Sequence, residues 1–213
     1  MQYPEYELAW SKLHGDAKPT GLIKFWLRFV FALTGPLSRV SPNAVTVFGA
    51  LLAAGLVWSA QFASLYLLVA VGIFLLGVID GLDGALAVRR NQVSAWGSFI
   101  DSIVDRFVDV ALLAILVVLG ADPILAIIAG TVTLVHEYMR ARAASVGFSD
   151  IGKVTIAEKP TRMILGFVAV VACAIAPATR QNFAQICAGV WLAIAVVGAI
   201  QLVLVYRKVL KQN

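Results

Sequence analysis

The chain has 213 residues, of which 61% are hydrophobic and 14% charged, and its formal net charge is +5. A soluble domain carries roughly 25% charged residues, so this composition excludes an ordinary soluble globule and indicates an integral membrane protein built as one bundle. The positive charge reads as basic loops facing anionic lipid headgroups rather than as a nucleic-acid surface.

The opening stretch, "MQYPEYELAWSKLHGDAKPTG", is polar and carries acids, unlike a secretory signal peptide. The run at 22–40, "LIKFWLRFVFALTGPLSRV", is apolar but interrupted by Lys24, Arg28 and Arg39 and broken at Gly35-Pro36. Lys24 and Arg28 lie four apart and share a helix face, while Trp26, Phe29 and Leu33 point elsewhere. That pattern predicts an amphipathic helix lying at the membrane interface, with a seventh span as the competing reading.

A spanning helix needs about 20 mostly apolar residues. Six stretches qualify, roughly 44–63, 65–88, 97–120, 123–145, 160–178 and 183–206. Turn signals separate them: "SLY" near 64, "RRNQVS" at 89–94, "GADP" at 120–123 and "ATRQN" at 178–182. A longer polar segment fills 146–159. The expected fold is an all-α integral membrane protein, six transmembrane helices preceded by the interfacial helix. Residues 1–43 form the N-terminal part, 44–206 the six-span domain and 207–213 a tail.

Basic residues fall on alternate connections. Lys12, Lys18, Lys24, Arg28 and Arg39 precede the first span. Arg89 and Arg90 follow the second, and Arg140, Arg142, Lys153, Lys159 and Arg162 surround the 140–162 region. Arg207, Lys208 and Lys211 close the chain, whereas the other connections carry only Arg180. An excess of Lys and Arg marks the cytoplasmic side. Both termini and the basic loops are therefore expected on the cytoplasmic face of the plasma membrane.

Into this apolar chain the stretch "GVIDGLDGALAVRRNQVSAWGSFIDSIVDRFVDV" places Asp80, Asp83, Asp101, Asp105 and Asp109. Intramembrane carboxylates are costly and by default functional. Asp80 and Asp83 are three apart at the end of one span, and Asp101 and Asp105 four apart at the start of the next, so each pair shares a helix face. The short 89–94 connection makes the two spans antiparallel neighbours. The four carboxylates thus meet at the cytoplasmic end of one helix pair. Like charges in one site either protonate or bind a cation. An all-oxygen ligand set favours a hard ion such as Mg²⁺, Mn²⁺ or Ca²⁺ over zinc. Gly84 and Gly97 leave room for a close approach, and Arg89 and Arg90 stand nearby to meet phosphate oxygens.

"DGLDGALAVRRNQVSAWGSFIDSIVD" resembles the signature of the CDP-alcohol phosphotransferases, D-x-x-D-G-x-x-A-R, eight residues, then G-x-x-x-D-x-x-x-D. Asp80, Asp83, Gly84, Ala87, Gly97, Asp101 and Asp105 match in type and spacing. "SPNAVT" at 41–46, ending in Thr46, looks like the family's approach to its first span, so the resemblance covers most of the chain. The family's Arg falls on Val88, and Arg89 is the next residue.

The resemblance implies a transfer in which an alcohol attacks the phosphorus of a CDP-linked lipid and CMP leaves. Asp80, Asp83, Asp101 and Asp105 are then metal ligands, with Mg²⁺ or Mn²⁺ as cofactor and Asp105 also the base. Gly84, Ala87, Arg89, Gly97 and Thr46 are expected to hold the CDP-lipid. A homodimer is implied only by the resemblance.

A second polar cluster is formed by "HEYMRARAAS" and "AEKPTR" on the same side. The wording is similar to "KARA" and "ERPER" segments of the phosphatidylinositol-phosphate synthase branch, where basic residues bind the phosphate of inositol phosphate. Arg140 falls on the Lys, Lys159 and Arg162 on the two Arg, and Thr161 departs from an acidic residue. A basic pocket suits a phosphorylated acceptor. Inositol phosphate is the first expectation and glycerol 3-phosphate the second. A cation transporter, or a catalytically silent CDP-lipid binder, is the alternative from another class. His14 and His136 have no metal-spaced partners, and His136 reads as a packed or hydrogen-bonded residue. Cys173 and Cys187 read as small buried hydrophobes.

Overall fold

Turn chemistry cuts the apolar chain into helices. The computed structural model describes residues 1–13, 18–147 and 155–210; the expectations that involve His14, Lys153 and Lys211 fall outside the described residues. The helices are α1 (Tyr3–Leu13), α2 (Gly21–Leu33), α3 (Pro42–Ser59), α4 (Tyr66–Arg89), α5 (Ala95–Leu119), α6 (Pro123–Ser145), α7 (Lys159–Ile175) and α8 (Arg180–Leu210). No strand occurs among the described residues.

The ends of these helices follow from local residues. Ser41 caps α3 by accepting from the Ala44 N–H at 3.3 Å, with Pro42 at the first helical position. Asp122 caps α6 by accepting from the Leu125 N–H at 2.9 Å, again with a proline following. At the end of α4, Asn91 takes a left-handed φ of 54°, and Gln92 N–H returns to the Ala87 carbonyl at 2.8 Å. At the end of α5, Gly120 has φ 114° and Ala121 N–H returns to Leu116 at 2.9 Å. Both are Schellman-type stops, which satisfy carbonyls the helix would otherwise leave bare. The next helix after the first stop begins at once, since Ser94 Oγ accepts from the Gly97 N–H at 3.1 Å.

A helix is present at each of the six expected spans. Four of these stretches are long and apolar enough to cross a membrane: Pro42–Ser59, Ala63–Arg89, Pro123–Ser145 and Pro177–Lys208. The chain is an integral membrane protein on that ground. The other two differ for identifiable reasons. α5 carries Asp101, Asp105, Arg106 and Asp109 among its 25 residues. α7 has 17 residues, about 26 Å of helix against a hydrocarbon core of roughly 30 Å. The helix α1, in the stretch read as merely polar, was not expected.

The chain divides into two compact units. One comprises residues 1–52 and 75–108, the other 53–74 and 109–213. In the first, Tyr6, Leu27, Val30, Val45, Leu82, Ala85 and Leu86 form a buried cluster, with Trp26, Phe31 and Val88 packed against it. Tyr6 stacks on Phe31 with centroids 5.0 Å apart, and Lys24 pairs with Glu7 at 3.0 Å, so α1 is fastened to α2. The side of α2 carrying Leu22, Ile23 and Phe25 stays exposed. Gly81 permits α2 to lie close to α4, since a Cβ there would stand 3.2 Å from Val30 and 3.3 Å from the Trp26 ring nitrogen.

In the second unit α8 packs along α6 and α7. Trp191 is fully buried and donates its ring N–H to Thr133 at 3.1 Å, which satisfies the indole's one polar atom inside an apolar interface. Leu112, Ile115, Leu116 and Leu119 supply the buried face of α5. Cys173 and Cys187 are buried free thiols.

Candidate active site

Asp80 comes from α4, and Asp101 and Asp105 come from the first three turns of α5. Each offers a carboxylate oxygen, and the three oxygens lie within 4.8 Å of one another. Their short spacing follows from the tight Asn91 stop and the Ser94 cap, which set the two helix ends side by side. Hard divalent cations take oxygens at about 2.0–2.6 Å, so three oxygens this close fit one ion. The set contains no sulfur or imidazole, which disfavours zinc. All three side chains are half-buried, and the site is thus reachable.

Asp83 stands differently. It is buried, and its Oδ2 accepts from the Thr46 hydroxyl at 2.6 Å while its Oδ1 lies 2.6 Å from the Gly84 N–H. Thr46, 37 residues away, is itself buried at 5% exposure. Thr46→Val keeps the shape but leaves a buried carboxylate oxygen without its donor, at a cost of about 1–3 kcal/mol. The expected result is a lowered unfolding midpoint in detergent, checked against Thr46→Ser, which retains the hydroxyl. A Cβ added at Gly84 would meet nothing within 4 Å, so open space adjoins Asp83 at this residue. At Gly97 a Cβ would come 3.2 Å from Ser94 Oγ and 3.3 Å from Asn43 Oδ1.

The two arginines expected to face phosphate are anchored to the segment before α3. Arg89 donates to Thr34 Oγ1 at 2.7 Å and lies over the Phe31 ring at 5.4 Å. Arg90 donates to the Val40 carbonyl at 2.7 Å. A guanidinium has five N–H donors, so these contacts fix each side chain without exhausting it. Val88, where the family signature has arginine, is packed on the Tyr6–Leu86 cluster. Ala87 gives its carbonyl to the helix stop. Arg106 was overlooked in the sequence; its Nη2 lies 3.6 Å from Asp105 Oδ2. Its adjacency to Asp105 was the available signal.

The second cluster lies in the other unit and is an ion-pair network. Arg162 is only 1% exposed. Its Nε donates to Asp109 Oδ1 at 2.8 Å, its two terminal nitrogens reach Glu137 Oε1 at 3.2 Å, and it also donates to the Ala157 carbonyl. The expectation of a basic residue open to the acceptor's phosphate therefore meets a side chain held inward by carboxylates. Arg140 pairs with Glu158, and Glu158 also accepts from the Thr155 N–H at 2.7 Å and lies 3.0 Å from the Thr155 hydroxyl. His136 is fully buried with Nε2 3.1 Å from that hydroxyl, which fits a hydrogen-bonded packing residue. Lys159 opens α7 and is half-buried.

Membrane-length helices and a reachable triad of carboxylates on an antiparallel helix pair define an integral membrane protein whose acidic cluster could hold a metal ion. The model of the CDP-alcohol phosphatidyltransferase family matches residues 39–205, and the chain belongs to that family of enzymes. Family membership sets it among transferases rather than transporters. It is 34% identical over 141 residues to an archaetidylinositol phosphate synthase of Pyrococcus horikoshii, covering 61% of this chain and 69% of that protein. It is also 34% identical over 98 residues to a phosphatidylinositol phosphate synthase of Cutibacterium acnes, covering 43% of this chain and 46% of that one. A solved Mycobacterium tuberculosis phosphatidylinositol phosphate synthase with CDP-DAG bound shares the fold at TM-score 0.65 and 22% identity, over 83% of this chain and 92% of that chain.

Proposed function

We propose that this enzyme transfers the phosphatidyl group of CDP-diacylglycerol to a phosphorylated polar alcohol, inositol phosphate first among them, with release of CMP. The observation that carries the reading is the carboxylate triad set within the family signature. Asp80, Asp101 and Asp105 hold Mg²⁺ or Mn²⁺, with Asp83 beside them, fixed by Thr46. When bound, the ion neutralises the diphosphate and the charge that grows on departing CMP. Asp105 accepts the acceptor hydroxyl's proton. Gly84, Ala87, Gly97 and the remaining donors of Arg89 receive the nucleotide end of the donor.

Arg140, Lys159 and Arg162 attract the acceptor's phosphate. Arg162 engages it only by releasing Asp109 or Glu137, so its first role is to tie α7 to α5 and α6. All six helices α3 to α8, the charged α5 and the short α7 included, are assigned as spans within a domain of residues 44–206, with α2 lying at the interface. Both termini and the site face the cytoplasm, as the basic loops favour.

The test is purified protein in lipid nanodiscs with labelled CDP-diacylglycerol and a panel of inositol phosphate, glycerol 3-phosphate, inositol and glycerol. CMP release is expected with Mn²⁺ or Mg²⁺ and a phosphorylated alcohol, and near-complete loss in EDTA. Equal rates with inositol and inositol phosphate would remove the phosphorylated-acceptor reading; full activity in EDTA would remove the metal.

A further inference from the structure

The basic cluster already contains its own anions. Asp109, Glu137 and Glu158 face the guanidiniums of Arg140 and Arg162. A phosphomonoester brings a further charge of about −1.5 to −2 at neutral pH. Adding it to a site in which carboxylates occupy the cations costs like-charge repulsion in a partly desolvated place. Binding is therefore an exchange, in which one carboxylate gives up its donors.

Exposure decides which one. Asp109 is 3% exposed, Glu137 17% and Glu158 25%. Asp109 and Glu137 also hold a guanidinium that is 1% exposed, so releasing either one unpairs a buried charge. Glu158 instead sits at the helix edge, and although it is the capping residue of α7, its side chain makes no capping bond. It is held by one guanidinium, one backbone N–H and one hydroxyl, from Arg140 and Thr155. That donor set is the one a phosphate oxygen takes. Arg140 Nε is also buried and has no hydrogen-bond partner, so the guanidinium retains a donor that Glu158 does not use.

From this, and resting on the reading that the acceptor carries a phosphate, we infer that Glu158 is the resident anion of the acceptor site, which the acceptor's phosphate displaces from Arg140 and Thr155. Glu158 thereby sets acceptor affinity by competition: its charge holds Arg140 in place before the acceptor arrives and weakens binding when it does.

The full-length protein in nanodiscs tests this with Glu158→Gln, which keeps the size and removes the charge. Calorimetry with inositol phosphate and Mn²⁺, without donor, is expected to give binding about five- to tenfold tighter than wild type. The acceptor KM should fall similarly, and the KM for CDP-diacylglycerol should stay within about twofold. Glu158→Asp keeps the charge and is expected to bind inositol phosphate less tightly than Glu158→Gln.

Unchanged or weaker binding by Glu158→Gln makes Glu158 a structural prop and overturns the exchange alone. Failure of the wild type to bind any phosphorylated alcohol overturns the exchange together with the proposed function. The wild type gives a check that needs no substitution. Hydrogen exchange in the peptide containing Thr155 is expected to change when inositol phosphate is added and not when inositol is added, because the Thr155 N–H changes its acceptor. Identical exchange with both ligands overturns the proposal.

Discussion

Asp101→Asn is expected to lower CMP release by about a thousandfold or more while the protein still folds and inserts. Asp101 provides one of three oxygens gathered within 4.8 Å, and the other two come from Asp80 on α4 and Asp105 one turn further along α5. An amide oxygen is a weak, neutral ligand. The substitution removes one of three charges that offset a divalent ion, so affinity for Mn²⁺ falls along with the charge stabilisation the reaction requires. The side chain is half-buried and the volume is conserved, so the unfolding midpoint should move little. The informative measurement is a Mn²⁺ titration of CMP release. Partial recovery at high Mn²⁺ identifies a ligand, and a wild-type rate at ordinary Mn²⁺ would remove Asp101 from the centre.

Much of this site was legible because it is local. The spacings Asp80–Asp83 and Asp101–Asp105 fix helix faces, and the short connection between them fixes which helices meet. The long apolar runs likewise gave helices α3 to α8, since period and length need no tertiary knowledge. What stayed hidden depends on partners far away in the chain. Asp83 has the same spacing credentials as Asp80, yet Thr46 lies 37 residues off and draws it into the interior. Arg89 and Arg90 are held by Thr34 and Val40, 55 and 50 residues away. Arg162 reads as an acceptor-facing charge until Asp109 and Glu137 are seen around it. Helix α1 was missed because the residues it packs on the cluster are three aromatics, Tyr3, Tyr6 and Trp10, spaced three and four apart among charges. The Phe31 ring, which Tyr3 and Tyr6 both meet, and the cluster of Leu27 and Val30 beside it explain why that face is buried.

Asp105→Asn separates two roles that one carboxylate combines. Asp105 belongs to the triad, and Arg106 lies 3.6 Å from its Oδ2. One oxygen can serve as a ligand while the other takes the acceptor hydroxyl's proton. Asparagine retains a carbonyl oxygen of nearly the same reach but cannot accept that proton at working pH. General-base catalysis contributes about 10²–10⁴ in rate, and turnover is expected to fall within that range. At Mn²⁺ high enough to offset the lost ligand charge, CDP-diacylglycerol binding, measured without acceptor, should stay within about threefold of wild type, because Asp80 and Asp101 remain. The rate should stay far below wild type even at that Mn²⁺, in contrast to Asp101→Asn. Loss of rate that Mn²⁺ fully repairs would make Asp105 a ligand only and move the base elsewhere.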